Sequence, residues 1–188
     1  MMSAQTESDQ ALERFRAYLR LLAQVNVDRA LQGKLDLSGV VQQTLFEAYQ
    51  MRERMCDWGD EQKAAWLRRA LAHNLTDAVR KVRARGRDVL RERSLEAALE
   101  RSSVQLGDWL VSPQSSPSQA FGRHEQALRV ADALARLPEA QRQALVLRFW
   151  HDLKLAEIAV LVDRTPSAVA GLLHRGMEQL RTYLQGGE

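Results

Sequence analysis

The chain has 188 residues, 45% hydrophobic and 27% charged, with a formal net charge of +3, which is room for one medium domain or two small ones with a packed core. One cysteine, Cys56, excludes an internal disulfide framework and suits a reducing interior. No apolar run is long enough to span a bilayer, and the first residues have neither a basic start nor an apolar core, so the expectation is a cytoplasmic protein with no signal peptide and no membrane contact.

With 4 prolines, 10 glycines, no alternating β-branched run and long stretches rich in Ala, Leu, Arg, Glu and Gln, the chain reads as all-α. Two small helical domains joined by a linker are predicted: residues 10–93, a linker over 94–122, and residues 123–184. Blocks of this size stand at the lower limit for independent folding.

The first block opens on an amphipathic helix with Leu12, Phe15, Leu19 and Leu22 on its apolar side. A second helix over 36–51 follows, with apolar positions Leu37, Val40, Val41, Thr44, Leu45 and Ala48. Residues 36–61 hold six acids against two bases, a surface DNA would not choose; it suits a protein partner or is a solvated helix face.

The charge reverses in the next helix, predicted over 62–85. Residues 68–93 carry nine basic side chains against three acids, so the rest of the chain is net negative. On a helical wheel Arg69, His73, Thr76, Arg80, Arg83 and Arg87 share one stripe, with Leu67, Leu71, Leu75, Ala78 and Val82 roughly opposite. Such a stripe is a phosphate-binding surface or a solvated face. Trp66 either stacks on an unpaired base or belongs to the core.

A short helix is expected over Leu95 to Trp109, and Ser112 to Gln119, with two of the four prolines, reads as linker. Beyond it, Leu155, Ile158, Ala159 and Val162 fall at helical spacing. After a break at Asp163-Arg164 the set Val169, Leu172, Leu173, Met177 and Leu180 repeats it.

Thr165 can accept an orphan backbone N–H while Pro166 fills the first helical position, so the second helix starts there. Asp163 takes the place of a turn glycine, being one of the few residues that tolerate a left-handed backbone. The pair reads as a helix-turn-helix, whose second helix enters the major groove by its N-terminal end, or as an ordinary helical hairpin.

His73, His124, His151 and His174 have no partner at metal-ligand spacing, so no metal is expected. Trp58, Trp109 and Trp150 read as core or interface residues. With no phosphate loop, nucleophile elbow or paired carboxylates in a loop, no cofactor and no enzyme activity are expected.

Four stretches together resemble the bacterial RNA polymerase sigma factors of the extracytoplasmic-function (ECF) type. They are Asp36-Leu-Ser-Gly-Val-Val-Gln-Gln-Thr-Leu-Phe-Glu-Ala-Tyr49, Ala65-Trp-Leu-Arg-Arg-Ala-Leu-Ala-His-Asn-Leu-Thr-Asp77 with its basic run, Leu137-Pro-Glu-Ala-Gln-Arg-Gln-Ala-Leu-Val-Leu-Arg148, and Ala156-Glu-Ile-Ala159 with Leu173-His-Arg175. The resemblance spans about residues 10–184 and implies region 2 in the first block and region 4 in the second. The partners it implies are core RNA polymerase, promoter DNA and an anti-sigma factor.

Carried over by position, Asp36, Val40, Val41, Gln42, Gln43 and Phe46 would dock on the polymerase. Trp66, Arg69, His73, Asn74, Arg80, Lys81 and Arg83 would meet the −10 element. Arg164, Thr165, Ser167, Ala168, Ala170, Gly171, His174 and Arg175 would serve the −35 element.

Two departures stand out. Gly39 and Gln43 occupy positions where the family usually has acids, and Ala168-Val-Ala-Gly-Leu172 stands where Thr-Val-Lys-Ser-Arg is common. A small apolar side chain can touch a thymine methyl but cannot donate to guanine, so a different upstream element, or one read by shape, is expected. The alternative is a helix-turn-helix regulator or interaction protein that does not bind the polymerase core.

Overall fold

A computed structural model describes residues 11–83, 89–109 and 120–185, with the side chains of 83, 89–93 and 120–123 left aside. The described residues are helical with no strand among them: α1 Arg16–Asn26, α2 Arg29–Gln32, α3 Leu37–Gln50, α4 Asp60–Arg83, α5 Val89–Asp108, α6 Ala120–Arg136, α7 Glu139–Phe149, α8 Leu155–Leu161 and α9 Pro166–Gln185. No helix among them is long and apolar enough to cross a membrane. The chain divides into two compact units, Met1–Leu128 and Arg129–Glu188, the boundary falling inside α6.

In unit 1, α1 packs on α3, α4 and α5, α3 packs on α4, and α4 on α5. The apolar stripe read for the first helix is buried as expected, through Leu12, Phe15, Leu19 and Leu22, and the helices it packs on bury Leu45, Leu67, Leu71, Leu75, Leu99 and Leu106. Short polar residues set the breaks. Asp28 starts α2 by accepting from Ala30 N at 3.0 Å, and Asp36 starts α3 by accepting from Gly39 N at 2.9 Å, each satisfying an orphan donor of a first turn.

The short helix expected over Leu95 to Trp109, inside the segment read as linker from residue 94, is part of the longer α5, Val89–Asp108, which packs on α1 and α4 and closes unit 1. Polar side chains pin it. Tyr18 Oη donates to Ser103 Oγ at 2.7 Å, Asn26 Nδ2 donates to Ser102 Oγ at 3.0 Å, and Arg68 reaches Glu100 at 2.6 Å. The Ser112–Gln119 stretch lies outside the described residues.

In unit 2, α9 packs on α7 and α8, around buried Leu147, Ile158, Ala159 and Val169. Gly176 lets α9 approach α7: a Cβ there would lie 3.1 Å from Leu145 Cδ1 and 3.3 Å from Gln141 Cβ. Leu155, expected among the apolar set of α8, is exposed, as are Val160 and Leu161. A seven-residue helix has room for few inward positions, and Ile158 and Ala159 occupy them.

Candidate nucleic-acid interface

The helix-turn-helix is built as its residues require. α8 begins at Leu155 with Glu157 accepting from Lys154 N at 2.6 Å, and the turn after it passes through Asp163 at φ 51°. That is the left-handed conformation expected of this aspartate. Thr165 Oγ1 then accepts from Ala168 N at 3.2 Å, capping α9 at Pro166.

This geometry leaves Arg164, Thr165, Ser167, Ala170, His174 and Arg175 exposed on one side of α9, with Ala168 and Gly171 half-buried beside them. Val169 points the other way, into the core. The Arg175 guanidinium folds back along the helix and would lie 3.2 Å from a Cβ at position 171, so Gly171 is the bed on which that side chain rests. His174 Nε2 lies 3.8 Å from Glu178 Oε1. No acid among the described residues is paired with Arg164 or Arg175, and both remain available to an anion.

In unit 1 the basic stripe of α4 differs from the helical-wheel reading. Thr76 is buried, its hydroxyl donating to Ala72 O at 2.8 Å, while Asp77 takes the outward position between His73 and Arg80. Asp77 lies 2.8 Å from Arg80 and 3.7 Å from His73. Val82, expected opposite the stripe in the core, is exposed. Arg69 is 68% exposed but leans to Glu96 at 3.2 Å.

Arg68 has turned fully inward, 8% exposed, between Glu100 and the Tyr18 hydroxyl at 3.0 Å. Its charged form is favoured by those two partners against the cost of burial, and burial raises the Tyr18 phenol despite Arg68 beside it. Trp66 is half-buried and Lys81 exposed; the side chain of Arg83, with Arg85 and Arg87, lies outside the description.

α3 and α4 enclose a groove of about 610 Å³ lined by Lys34, Asp36, Gln43, Glu47, Asn74 and Lys81, among others. Asn74 Nδ2 crosses it to Thr44 Oγ1 at 3.1 Å and Glu47 Oε2 at 3.2 Å, and Gln43 donates to Glu47 at 2.9 Å.

Of the side chains expected to dock a protein partner, Asp36, Gln42 and Gln43 are exposed, Val40 is half-buried, and Phe46 is 54% exposed. Val41 is a correction. At 1% exposure it belongs to the core, because α3 turns the 41–45–48 edge toward α1 and α4. Sequence reading also missed Glu96 and Glu100, the acids that meet Arg69 and Arg68; their i,i+4 spacing marks a common helix face and was the available signal.

Residues 127–180 match the family described as sigma-70, region 4. Over 75 residues the chain is 36% identical to the ECF RNA polymerase sigma factor ShbA of Streptomyces griseus subsp. griseus, an alignment covering 37% of this chain and 39% of that protein. The match therefore spans about two-fifths of the relative's length. A solved structure, the cocrystal structure of the flagellar sigma/anti-sigma complex Sigma-28/FlgM, aligns over 98% of each chain at 15% identity with a TM-score of 0.36.

Proposed function

The chain is a relative of the ECF RNA polymerase sigma factors with a sigma-70 region 4 domain at residues 127–180, and from that premise we propose that it binds core RNA polymerase and directs it to promoters. The observation that carries the reading is the capped helix-turn-helix inside the matched residues, with Arg164, Thr165 and Ser167 exposed in the turn and at the start of α9.

In this reading unit 1 is region 2. The outward face of α3, with Asp36, Val40, Gln42, Gln43 and Phe46, docks on the polymerase; an exposed aromatic amid uncharged amides has the character of an interface core. Trp66, Arg69, His73, Asn74, Arg80, Lys81 and Arg83 serve the −10 element. Arg69 and Arg80 must exchange Glu96 and Asp77 for phosphate to do so, an exchange that exposed pairs permit because they are weak.

Unit 2 reads the −35 element. Base contacts are few and come from Arg164, Thr165 and Ser167, while Ala168, Ala170 and Gly171 give close approach and thymine-methyl contact. His174 and Arg175 hold the backbone. The protein works in the cytoplasm, has no catalytic chemistry of its own, and has an anti-sigma factor as a further partner.

The test is a pull-down of core RNA polymerase with the purified chain, followed by transcription from a promoter pool. Co-purification and selective initiation are expected. Capture of promoter DNA without core polymerase would favour the regulator alternative. Arg164→Ala sharpens the assignment in unit 2: relaxed preference at one upstream position, at a cost of about 1–3 kcal/mol if the contact is bidentate, is expected, whereas Arg175→Ala should weaken all sequences alike. An unchanged preference in the Arg164 variant removes that residue from base reading.

A further inference from the structure

Near the start of α6, the ring of His124 stacks on Phe15 with centroids 6.0 Å apart and planes 26° from parallel, and it meets Tyr18 edge-on at 5.8 Å. Phe15 and Tyr18 are wholly buried. The Nε2 atom of His124 is sealed from solvent and has no hydrogen-bond partner among the described residues. A neutral imidazole can leave that nitrogen as a bare acceptor at modest cost. A protonated one would hold an unpaired N–H and a buried charge, which is far more expensive.

The charges around it come from every element packed there. Arg14, at the head of α1, bridges Asp60 at 2.8 Å and Glu125 at 3.3 Å and lies 5.5 Å from the Phe15 ring centre. From α4 come Arg68, Asp60 and Glu61; α5 contributes Glu100, already held by Arg68, and α6 itself Glu125. Burial, the largest influence, and the two arginines disfavour the imidazolium, while Asp60 and Glu61 favour it; the balance holds His124 below the ordinary histidine value.

We propose that His124 is a proton-operated latch, its neutral ring holding the first turns of α6 on α1 within unit 1 and its protonation releasing them. The released element is the helix through which the chain leaves unit 1. Because the folded value lies below the unfolded one, the latch is complete above about pH 6.5 and is lost as pH falls through the folded value.

Hydrogen exchange on the full chain at pH 7.5 and 5.5, corrected for intrinsic rates, tests this. Amides 124–128 should lose protection several-fold between the two pH values, while α1 and the middle of α4 keep theirs. His124→Phe should hold the same protection at both pH values. Equal protection of 124–128 at both pH values overturns the latch, as does the same loss in the Phe variant. If that variant does not fold, ring titration of His124 by NMR in the native chain decides: a value below 6.5 is expected, and one above it reverses the sign and ends the proposal.

Discussion

α4 and α9 are of similar length, 24 and 20 residues, and both carry side chains assigned to DNA, yet they hold their charge differently. On α4, Arg68, Arg69 and Arg80 each have an acid within the fold, Glu100, Glu96 and Asp77. On α9 and in the turn that leads into it, Arg175 and Arg164 stand without one among the described residues. The basic count of 68–93 therefore overstates the field that α4 offers, and the modest α9 offers nearly all it has. A cation serves a partner in proportion to how weakly its own fold holds it. For Arg68, buried between Glu100 and Tyr18, that hold is strong; for Arg69, at the surface, it is weak.

The largest effect that can test how unit 1 presents itself belongs to α3. Val41→Asp places a charge at a fully buried site and should cost several kcal/mol, on the order of the stability of a small domain, so urea unfolding followed by circular dichroism should find unit 1 unfolded. Phe46→Asp should shift stability by less than about 0.5 kcal/mol and instead reduce capture of core polymerase. A folded Val41→Asp chain would contradict the packing of α3.

Adjacent arginines supply the next contrast. Arg68→Ala removes hydrogen bonds from a charged, buried donor and should destabilise unit 1 by about 1.5–3 kcal/mol, with no change in the salt dependence of DNA binding. Arg69→Ala should cost under about 1 kcal/mol and lower the salt slope by roughly 0.9 if one phosphate contact is lost. Identical behaviour of the two variants would erase the distinction between structural and available charge.

In unit 2, Gly176→Leu forces bulk against Leu145 and Gln141 where α9 crosses α7, and about 1–3 kcal/mol of destabilisation is expected. A calorimetric scan should place that loss in unit 2 alone. Smallest is Thr165→Ala, which leaves the first turn of α9 short of an acceptor for Ala168 N at a cost of about 1 kcal/mol; exchange at the start of α9 should quicken while its middle stays protected.

Much of the fold was legible because its signals are local. Apolar spacing marked α1, α3, α4, α8 and α9, and the Asp163 and Thr165-Pro166 pattern marked the turn and the cap, since a left-handed residue, an N-cap and a proline at the first helical position are decided by their own chemistry. The motifs of the second block likewise pointed to the family that residues 127–180 match.

Periodicity says which residues share a helix face but not how wide the buried part of that face is. The width is set by whatever packs against it, and that partner can lie far away in sequence. For this reason Val41 went to the core and Val82 to the surface, and Thr76 exchanged places with Asp77. The short helix expected over Leu95 to Trp109 within the linker segment proved to be the body of α5 and part of unit 1, where Ser102, Ser103 and Glu100 have partners in α1 and α4. The amino-acid sequence by itself determined the helices, the helix-turn-helix and the sign of each segment's charge; only the tertiary structure decided that Arg68 and Arg69 are neutralised within the fold, because Glu100 and Glu96 lie some thirty positions away in the chain, whereas Asp77 meets Arg80 within one helix.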